Sequence, residues 1–152
     1  MPTHAVGIDM IEIDRVTKVL AKYPERFLSK VFTPLEVAFC RGRVQELAAR
    51  FAAKEAVMKA LGTGARSVAW KDIEVLPDRR GKPMVYLHGG AQRRAEVIGL
   101  HDIDISLTHL ESFAMAAVVC SQERPEQDRD EARALLAERL RARGLLADDV
   151  EV

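Results

Sequence analysis

The sequence lacks several features that would point to particular classes of protein. Its only two cysteines, Cys40 and Cys120, are far apart and form no metal-binding or redox motif, so we interpret them as buried thiols in a reducing compartment. The 23 basic and 23 acidic residues cancel, which gives no argument for nucleic acid or a membrane as a partner. No apolar run approaches the ~20 residues of a membrane span, and the first residues do not have the pattern of a signal peptide. We therefore expect a cytoplasmic protein.

The apolar residues make up 48% of the chain, which is enough for a buried core, and their order predicts an α+β fold with helices packed on a mostly antiparallel sheet. Helical spacing dominates the first half, where Thr33 and Glu36 predict a capping box. Period-two patterns dominate the second half and include a hairpin around the turn DRRGKP at 78–83. The main predicted strands are 4–10, 70–76, 84–87, 103–108 and 113–119, and the main predicted helices are 11–22, 44–61 and 91–98.

The last thirty residues differ in composition from the rest. They are rich in charge, and Leu135, Leu136 and Leu140 share one face of a predicted amphipathic helix behind a joint that contains Pro125. We divide the chain into a domain at 1–121 and a helical extension at 122–152. The simplest interpretation of the extension is a solvated terminal helix.

Two acidic residues occur in elements that are expected to be buried. Glu55 falls within the apolar stripe of the helix 44–61, and Asp9 stands between Ile8 and Met10 in the first strand. An isolated buried carboxylate is costly, but two together form an oxygen site of the kind that Mg²⁺ prefers. The alternatives are an ion pair of Glu55 with Lys59 and a helix N-cap at Asp9. The apolar stripe consists of Val44, Leu47, Ala48, Phe51 and Met58.

Basic residues surround Glu55 on the same helix. Arg50, Lys54 and Lys59 are suited to a polyphosphate ligand, although a charged helix face is more often simply solvated. Gly62 ends the helix and would let backbone approach a ligand, but helices often end at glycine for conformational reasons. His109 ends the strand SLTH, where a histidine is more often structural than functional.

Four segments together resemble the holo-acyl-carrier-protein synthase family, the small single-domain group of 4′-phosphopantetheinyl transferases. They are GIDMIEIDR at 7–15, RFAAKEAVMKALGTG at 50–64, DIEV followed by GKP within 72–83, and SLTH at 106–109. The most specific is the superfamily pattern W-x-x-K-E-A-x-x-K-A, which begins here with Phe51 in place of tryptophan. The resemblance runs in order from about residue 5 to residue 120 and implies the phosphopantetheinyl transferase fold.

This resemblance implies transfer of the phosphopantetheine arm of coenzyme A to a serine of apo acyl carrier protein, for fatty acid synthesis. Asp9 and Glu55 match the Mg²⁺ ligands, and Ile11 occupies the position of a third carboxylate in larger relatives. Catalysis would involve Asp9, Glu55 and Lys59. Either carboxylate or a water on the ion could accept the serine proton. The implied coenzyme A contacts are Arg50, Lys54, Lys59, Gly62, Lys82, Pro83, Ser106, Thr108 and His109.

The resemblance also implies macromolecular partners. Acyl carrier proteins are acidic, so we expect them to dock on the basic helices near Asp9, although a solvated basic face is the alternative. Small family members are cyclic trimers, which predicts that Glu55 of one subunit works with His109 of the next. Two other functions remain possible: a non-catalytic coenzyme A sensor and an enzyme for carriers of secondary metabolism. The expected carrier contacts are Arg15, Lys18, Lys22, Arg26 and Lys30.

Overall fold

The computed structural model describes residues 3–64, 66–123 and 128–151 and confirms the α+β class. Its strands are β1 (Thr3–Glu12), β2 (Ile73–Pro77), β3 (Pro83–Leu87), β4 (Leu100–His109) and β5 (Phe113–Gln122). Its helices are α1 (Ile13–Lys22), α2 (Pro24–Val31), α3 (Pro34–Cys40), α4 (Val44–Leu61), α5 (Gly89–Ile98) and α6 (Arg129–Ala142). The strand predicted from residue 70 is shorter than expected, because residues 70–72 form a 3₁₀ turn before β2.

The strands form two antiparallel sheets rather than one. The larger has the order β1-β5-β4, and β2 pairs with β3 as the predicted hairpin. In the larger sheet, Asp9 lies opposite Ala116 of the central strand, and Ala116 lies opposite Leu107 of β4. Because side chains alternate between faces, Asp9 shares a face with Gly7 and Ile11, and this is the face that α4 covers.

The opposite face of the larger sheet is open and apolar. Val6, Ile8 and Met10 are 67%, 56% and 61% exposed, and Met115 and Val119 lie beside them on β5. The expectation that β1 is buried around Asp9 was therefore wrong for Ile8 and Met10. An unbroken apolar run does not reveal which strand face is covered, since that depends on what packs against the sheet.

Helix α4 is buried on nearly every side, so the stripe inferred from the sequence does not describe it. Lys54, Ala56 and Val57 are fully buried, whereas Phe51 and Glu55 are only half-buried and Lys59 is exposed. Glu55 thus lies on the accessible edge of the helix, where Phe51, Glu55 and Lys59 follow one another at four-residue intervals. A helix surrounded by core has no polar face from which a stripe could be identified.

The capping box of α3 and the C-terminal helix are both present. Thr33 Oγ1 accepts from the Glu36 amide at 3.3 Å, and the Glu36 carboxylate accepts from the Thr33 amide at 2.9 Å. Helix α6 has only sparse contacts with the other described elements, and its own tail folds back on it through an Arg141 hydrogen bond to the Val150 carbonyl. No described helix is long and apolar enough to cross a membrane.

Candidate functional site

Asp9 and Glu55 line the same cleft, which has a volume of about 280 Å³. The first comes from β1 and the second from α4, and the cleft continues over Phe51, Phe27 and Val19. Partial burial and the nearby Asp9 charge raise the pKa of Glu55 above its usual value, and Lys59 opposes this shift. Two carboxylates that line one cleft are a suitable pair for a divalent cation, which offsets the repulsion between their charges.

Lys59 joins the helix to the strand beside this pair. Its ammonium lies 3.1 Å from Asp9 Oδ1 and donates to the Ile8 carbonyl at 2.8 Å. The alternative ion pair with Glu55 is not present among the described ion pairs, because Lys59 reaches across to β1 instead. The other alternative was also wrong: Glu12, not Asp9, is the N-cap of α1.

The donor set fits Mg²⁺ but not a closed structural metal site. Among the described residues no three His, Cys, Asp or Glu side chains cluster in a way that could hold a metal. Mg²⁺ commonly takes one or two protein carboxylates and completes its octahedron with water and substrate phosphate. The half-buried Ile11, at the position of the third carboxylate of larger relatives, adds no oxygen to this cleft.

A second cleft, of about 490 Å³, is lined by five charged or titratable side chains, of which Glu46 and Asp78 are acidic. Arg50, Arg79 and His109 line it together with Pro83 and Gly81 of the hairpin. Arg50 is held by bonds from Nε to the Val75 carbonyl at 3.0 Å and from Nη1 to a Glu46 carboxylate oxygen at 2.6 Å. Sequence reasoning missed Arg79, although the paired arginines of the turn DRRGKP were a signal for it.

The two clefts do not merge within one chain. Neither shares a lining residue with the other, and β5 separates Asp9 of β1 from His109 of β4. The carboxylate pair and the arginine–histidine group therefore lie in two separate clefts of one chain.

Lys54 is not available to bind phosphate, which corrects the expectation for this residue. Its side chain is fully buried, and its ammonium pairs with Glu36 at 2.7 Å while also donating to the Trp70 and Ile73 carbonyls. Burial lowers the pKa of Lys54, and Glu36 opposes that shift. The lysine connects α4 to α3 and to the chain entering β2. The helical positions of Lys54 and Lys59 alone could not reveal that only Lys59 reaches solvent.

The segments Lys82–Pro83 and Ser106–His109 are divided between opposite faces of the sheet. Ser106 and Thr108 point to the open face, where Ser106 and Lys82 line a third cleft and Lys82 pairs with Asp104 at 3.1 Å. His109 shares its face with Leu107 and lines the second cleft. Gly62 is exposed and ends α4 with a φ of 72°, which is the usual role of a C-cap glycine.

The basic residues of α1 and α2 surround an apolar notch. Val19, Tyr23, Phe27 and Val31 line it together with Arg26 and Lys30, in a volume of about 250 Å³. We call this the α1–α2 notch. It shares Val19 and Phe27 with the Asp9–Glu55 cleft, which Arg15 also lines. Lys18 is engaged by Asp14 at 2.7 Å, while the Lys22 ammonium lies 5.3 Å from the centre of the Tyr23 ring.

Comparison with known proteins gives one consistent result. Residues 5–118 match the family described as the 4′-phosphopantetheinyl transferase superfamily. A holo-acyl-carrier-protein synthase of Herpetosiphon aurantiacus is 45% identical over 120 residues, covering 74% of this chain and 94% of the relative. One of Moorella thermoacetica is 47% identical over 116 residues, covering 74% of this chain and 90% of the relative.

A solved structure gives the same result for the fold. The Helicobacter pylori holo-acyl-carrier-protein synthase in complex with coenzyme A superposes with a TM-score of 0.70 at 28% identity. The superposition covers 76% of this chain and 98% of that one.

Proposed function

The chain belongs to the 4′-phosphopantetheinyl transferase superfamily, and we propose that it acts as a holo-acyl-carrier-protein synthase whose Mg²⁺ is held by Asp9 and Glu55. It transfers the 4′-phosphopantetheine arm of coenzyme A to a serine of apo acyl carrier protein and releases adenosine 3′,5′-bisphosphate. The observation that carries the metal assignment is the pairing of Asp9 and Glu55 in one cleft, from two elements that Lys59 ties together. When bound, the cation offsets charge that develops on the pyrophosphate as the bond to the leaving bisphosphate breaks.

The residues of the first cleft hold the reacting end of coenzyme A. Lys59 is half-exposed beyond its contact with Asp9, so its ammonium is available to a pyrophosphate oxygen. Val19, Phe27 and Phe51 form an apolar wall on which the pantetheine arm lies. Of the two carboxylates, Glu55 is the better acceptor for the serine proton, because Lys59 already donates to Asp9.

The second cleft holds the adenosine 3′-phosphate. Arg79 and His109 are exposed along this cleft, whereas Arg50 is only 3% exposed and is bonded to Glu46 and to the Val75 carbonyl. An exposed guanidinium and an imidazole suit a phosphate dianion, and the fixed Arg50 beside them keeps the wall of the cleft rigid.

Carrier protein docks at the α1–α2 notch. Its apolar floor lies next to the Asp9–Glu55 cleft, and basic side chains rim it, which matches an acidic partner whose serine must reach the cleft. We assign the enzyme to the cytoplasm, because both cysteines are free and buried, as is usual in a reducing compartment, and to fatty acid synthesis because its relatives are holo-acyl-carrier-protein synthases.

The working enzyme is a homotrimer with sites between subunits. Two features support this proposal: the separation of the two clefts within one chain, and the apolar open face of the larger sheet. Contiguous exposed apolar surface of this kind is characteristic of an interface. Association of the open faces would let the carboxylate cleft of one subunit meet the arginine–histidine cleft of the next.

The test is a transfer assay with apo carrier protein, coenzyme A and Mg²⁺, read by intact mass. We expect the carrier to gain the mass of the phosphopantetheine arm, to gain nothing when its acceptor serine is replaced by alanine, and to gain nothing in EDTA until Mg²⁺ is restored. No gain with any carrier would favour a coenzyme A sensor. A gain only on polyketide or peptide carriers would favour an enzyme of secondary metabolism.

A further inference from the structure

Gly7 stands where β1 crosses α4 with no room for a side chain. A Cβ added to Gly7 would lie 1.8 Å from the Ala56 carbonyl oxygen and 2.7 Å from the Ala56 carbonyl carbon. Both atoms are backbone, so no rotamer change can relieve the overlap. A methyl group at this point can be accommodated only if the strand and the helix move apart by more than about 1 Å, because carbon needs roughly 3.5 Å for an unstrained contact.

The requirement for glycine here is one of space and not of backbone conformation. Gly7 is absent from the glycines with positive φ, unlike Gly62 and Gly99 at the ends of α4 and α5. An ordinary residue could adopt its extended conformation, and most would favour the strand more than glycine does. Glycine weakens a strand interior, so the close approach of the two backbones is the compensating feature.

The close approach lies one step from both carboxylates. Asp9 is two residues after Gly7 and so points to the same face of β1, and Glu55 directly precedes Ala56 on α4. Ala53, Ala56 and Ala60 of α4 and Ala5 of β1 belong to the same buried cluster, so small side chains predominate along this contact. Helix and strand are therefore held at a fixed short separation at the level of the cleft.

We propose that Gly7 is a positioning residue that sets the separation of Asp9 and Glu55 and thereby tunes the cleft to a cation as small as Mg²⁺. The inference rests on the proposed function, since it concerns the same two ligands. Mg²⁺ requires short bonds in a nearly ideal octahedron, whereas Ca²⁺ accepts longer bonds and irregular geometry. A wider gap should therefore weaken Mg²⁺ more than Ca²⁺. The Lys59 bond to the Ile8 carbonyl spans the same gap and would lengthen with it.

The test uses Gly7→Ala in the full chain, with cation binding measured directly and not only through turnover. Mn²⁺ is titrated by electron paramagnetic resonance, and Mg²⁺ and Ca²⁺ are then used to displace it. We expect Gly7→Ala to bind Mn²⁺ about 10-fold or more weakly, in line with losses at residues that support metal ligands. We also expect that, relative to Mg²⁺, Ca²⁺ displaces Mn²⁺ more effectively from Gly7→Ala than from the wild type. The KM for carrier protein should change little, because the α1–α2 notch is formed by other elements.

Val118→Ala is the matched control for lost stability. Val118 lies opposite Gly7 on β5 and is buried on the same face, so its truncation leaves a cavity without driving β1 away from α4. It should lower the melting temperature and leave Mn²⁺ affinity unchanged. If Gly7→Ala does not fold, Ala5→Val takes its place as the test variant. It adds volume to the same contact between β1 and α4 but farther from Asp9, so it should weaken Mn²⁺ binding by a smaller factor.

The outcomes separate this inference from the proposed function. If folded Gly7→Ala, or Ala5→Val in its place, binds Mn²⁺ as tightly as the wild type and keeps the wild-type preference for Mg²⁺ over Ca²⁺, Gly7 does not set the ligand spacing. If the wild-type protein itself neither binds Mn²⁺ nor transfers the arm, the metal assignment of Asp9 and Glu55 fails, and the inference fails with it.

Discussion

Glu55 is held in surroundings that resist its ionisation. Partial burial, followed by the Asp9 charge, raises its pKa above the usual 4.5. The folded protein without metal therefore binds this proton more tightly than the unfolded chain does. The stability that Glu55 contributes is present below pH 4.5 and is lost as the pH rises from 4.5 through the folded-state pKa.

Glu55→Gln should remove this pH dependence. In EDTA at pH 7 the variant should be more stable than the wild type, by less than about 1 kcal/mol because solvent screens a partly exposed group. The difference should vanish below pH 4.5. Millimolar Mg²⁺ should reverse the order at pH 7, since only the wild type gains binding free energy. Urea unfolding under these conditions measures all three effects, and an unchanged order with Mg²⁺ would contradict the assignment of Glu55 as a ligand.

Lys54 is a second residue for which the structure makes a quantitative prediction. Lys54→Met leaves the Glu36 carboxylate buried without its cation and should cost about 3–5 kcal/mol of unfolding free energy. Adding Glu36→Gln removes the stranded charge but keeps an oxygen for the Thr33 amide, so the double variant should recover part of the loss. Chemical denaturation checks this. A folded double variant with a KM for coenzyme A raised 10-fold or more would show that Lys54 reaches the substrate after all.

At the scale of elements, the proposal that carrier protein docks on α1 and α2 rests on the basic side chains beside an apolar notch next to the cleft. Arg15→Glu and Lys22→Glu should raise the KM for carrier protein at least several-fold more than the KM for coenzyme A, and more so at low salt, where charges are less screened. Lys18→Glu should have the smaller effect, because Asp14 already pairs with Lys18.

Arg93→Glu on α5 makes an equivalent charge change away from α1 and α2 and serves as the control for those variants. Steady-state kinetics at two ionic strengths separate the possibilities. If Arg93→Glu raises the carrier KM as much as Arg15→Glu does, the effect belongs to net charge and not to a docking surface.

Helix α6 is an element without a clear structural partner. Its contacts with the other described elements are sparse, and it lies beyond residues 5–118, where the family match falls. Ending the chain after Glu123 should therefore change the melting temperature by no more than a few degrees and leave the turnover intact. Calorimetry and the transfer assay check this, and a dissociated or inactive truncated protein would instead assign α6 to the assembly.

At the scale of the whole molecule, we predict an obligate trimer from two features: the open face of the larger sheet, and the separation of the Asp9–Glu55 cleft from the cleft of Arg79 and His109. Ile8→Lys puts a charge in the middle of that face, at a site that is 56% exposed in the single chain. The variant should stay folded, because Ile8 contributes little to the core of one subunit, but it should sediment as a monomer and lose turnover. A trimeric, active Ile8→Lys protein would mean that this face is not the interface.

Mixed trimers test whether a site spans two subunits. Glu55→Ala and His109→Ala should each be impaired alone, whereas a mixed cyclic trimer contains one interface with both residues intact and should regain up to about one third of wild-type turnover. Co-refolding Asp9→Ala with Glu55→Ala is the matched control. Both residues line the same cleft of one subunit, so no interface in a mixed trimer has both of them intact. Mixed trimers as inactive as their parents would place the site within one chain.

The sequence by itself determined the features that depend on local signals. The capping box at Thr33 and Glu36, the hairpin around 78–83 and the α+β order all follow from residue type and spacing over a few positions. The four motif segments within 7–15, 50–64, 72–83 and 106–109 together likewise identified the family. These predictions succeeded because turns, caps and short motifs require particular residues regardless of what packs around them.

Only the tertiary structure decided which side chains are available. Lys54 and Lys59 belong to one motif, yet Lys54 is fully buried against Glu36 while Lys59 reaches β1. Ser106 and His109 are three residues apart but lie on opposite faces of β4. Arg79 joins Arg50 in a cleft although the two are distant in the chain. Whether a side chain is buried, and which cleft its face of the strand or helix meets, depends on which elements pack together. Those contacts join distant parts of the chain, so no local sequence pattern contains them.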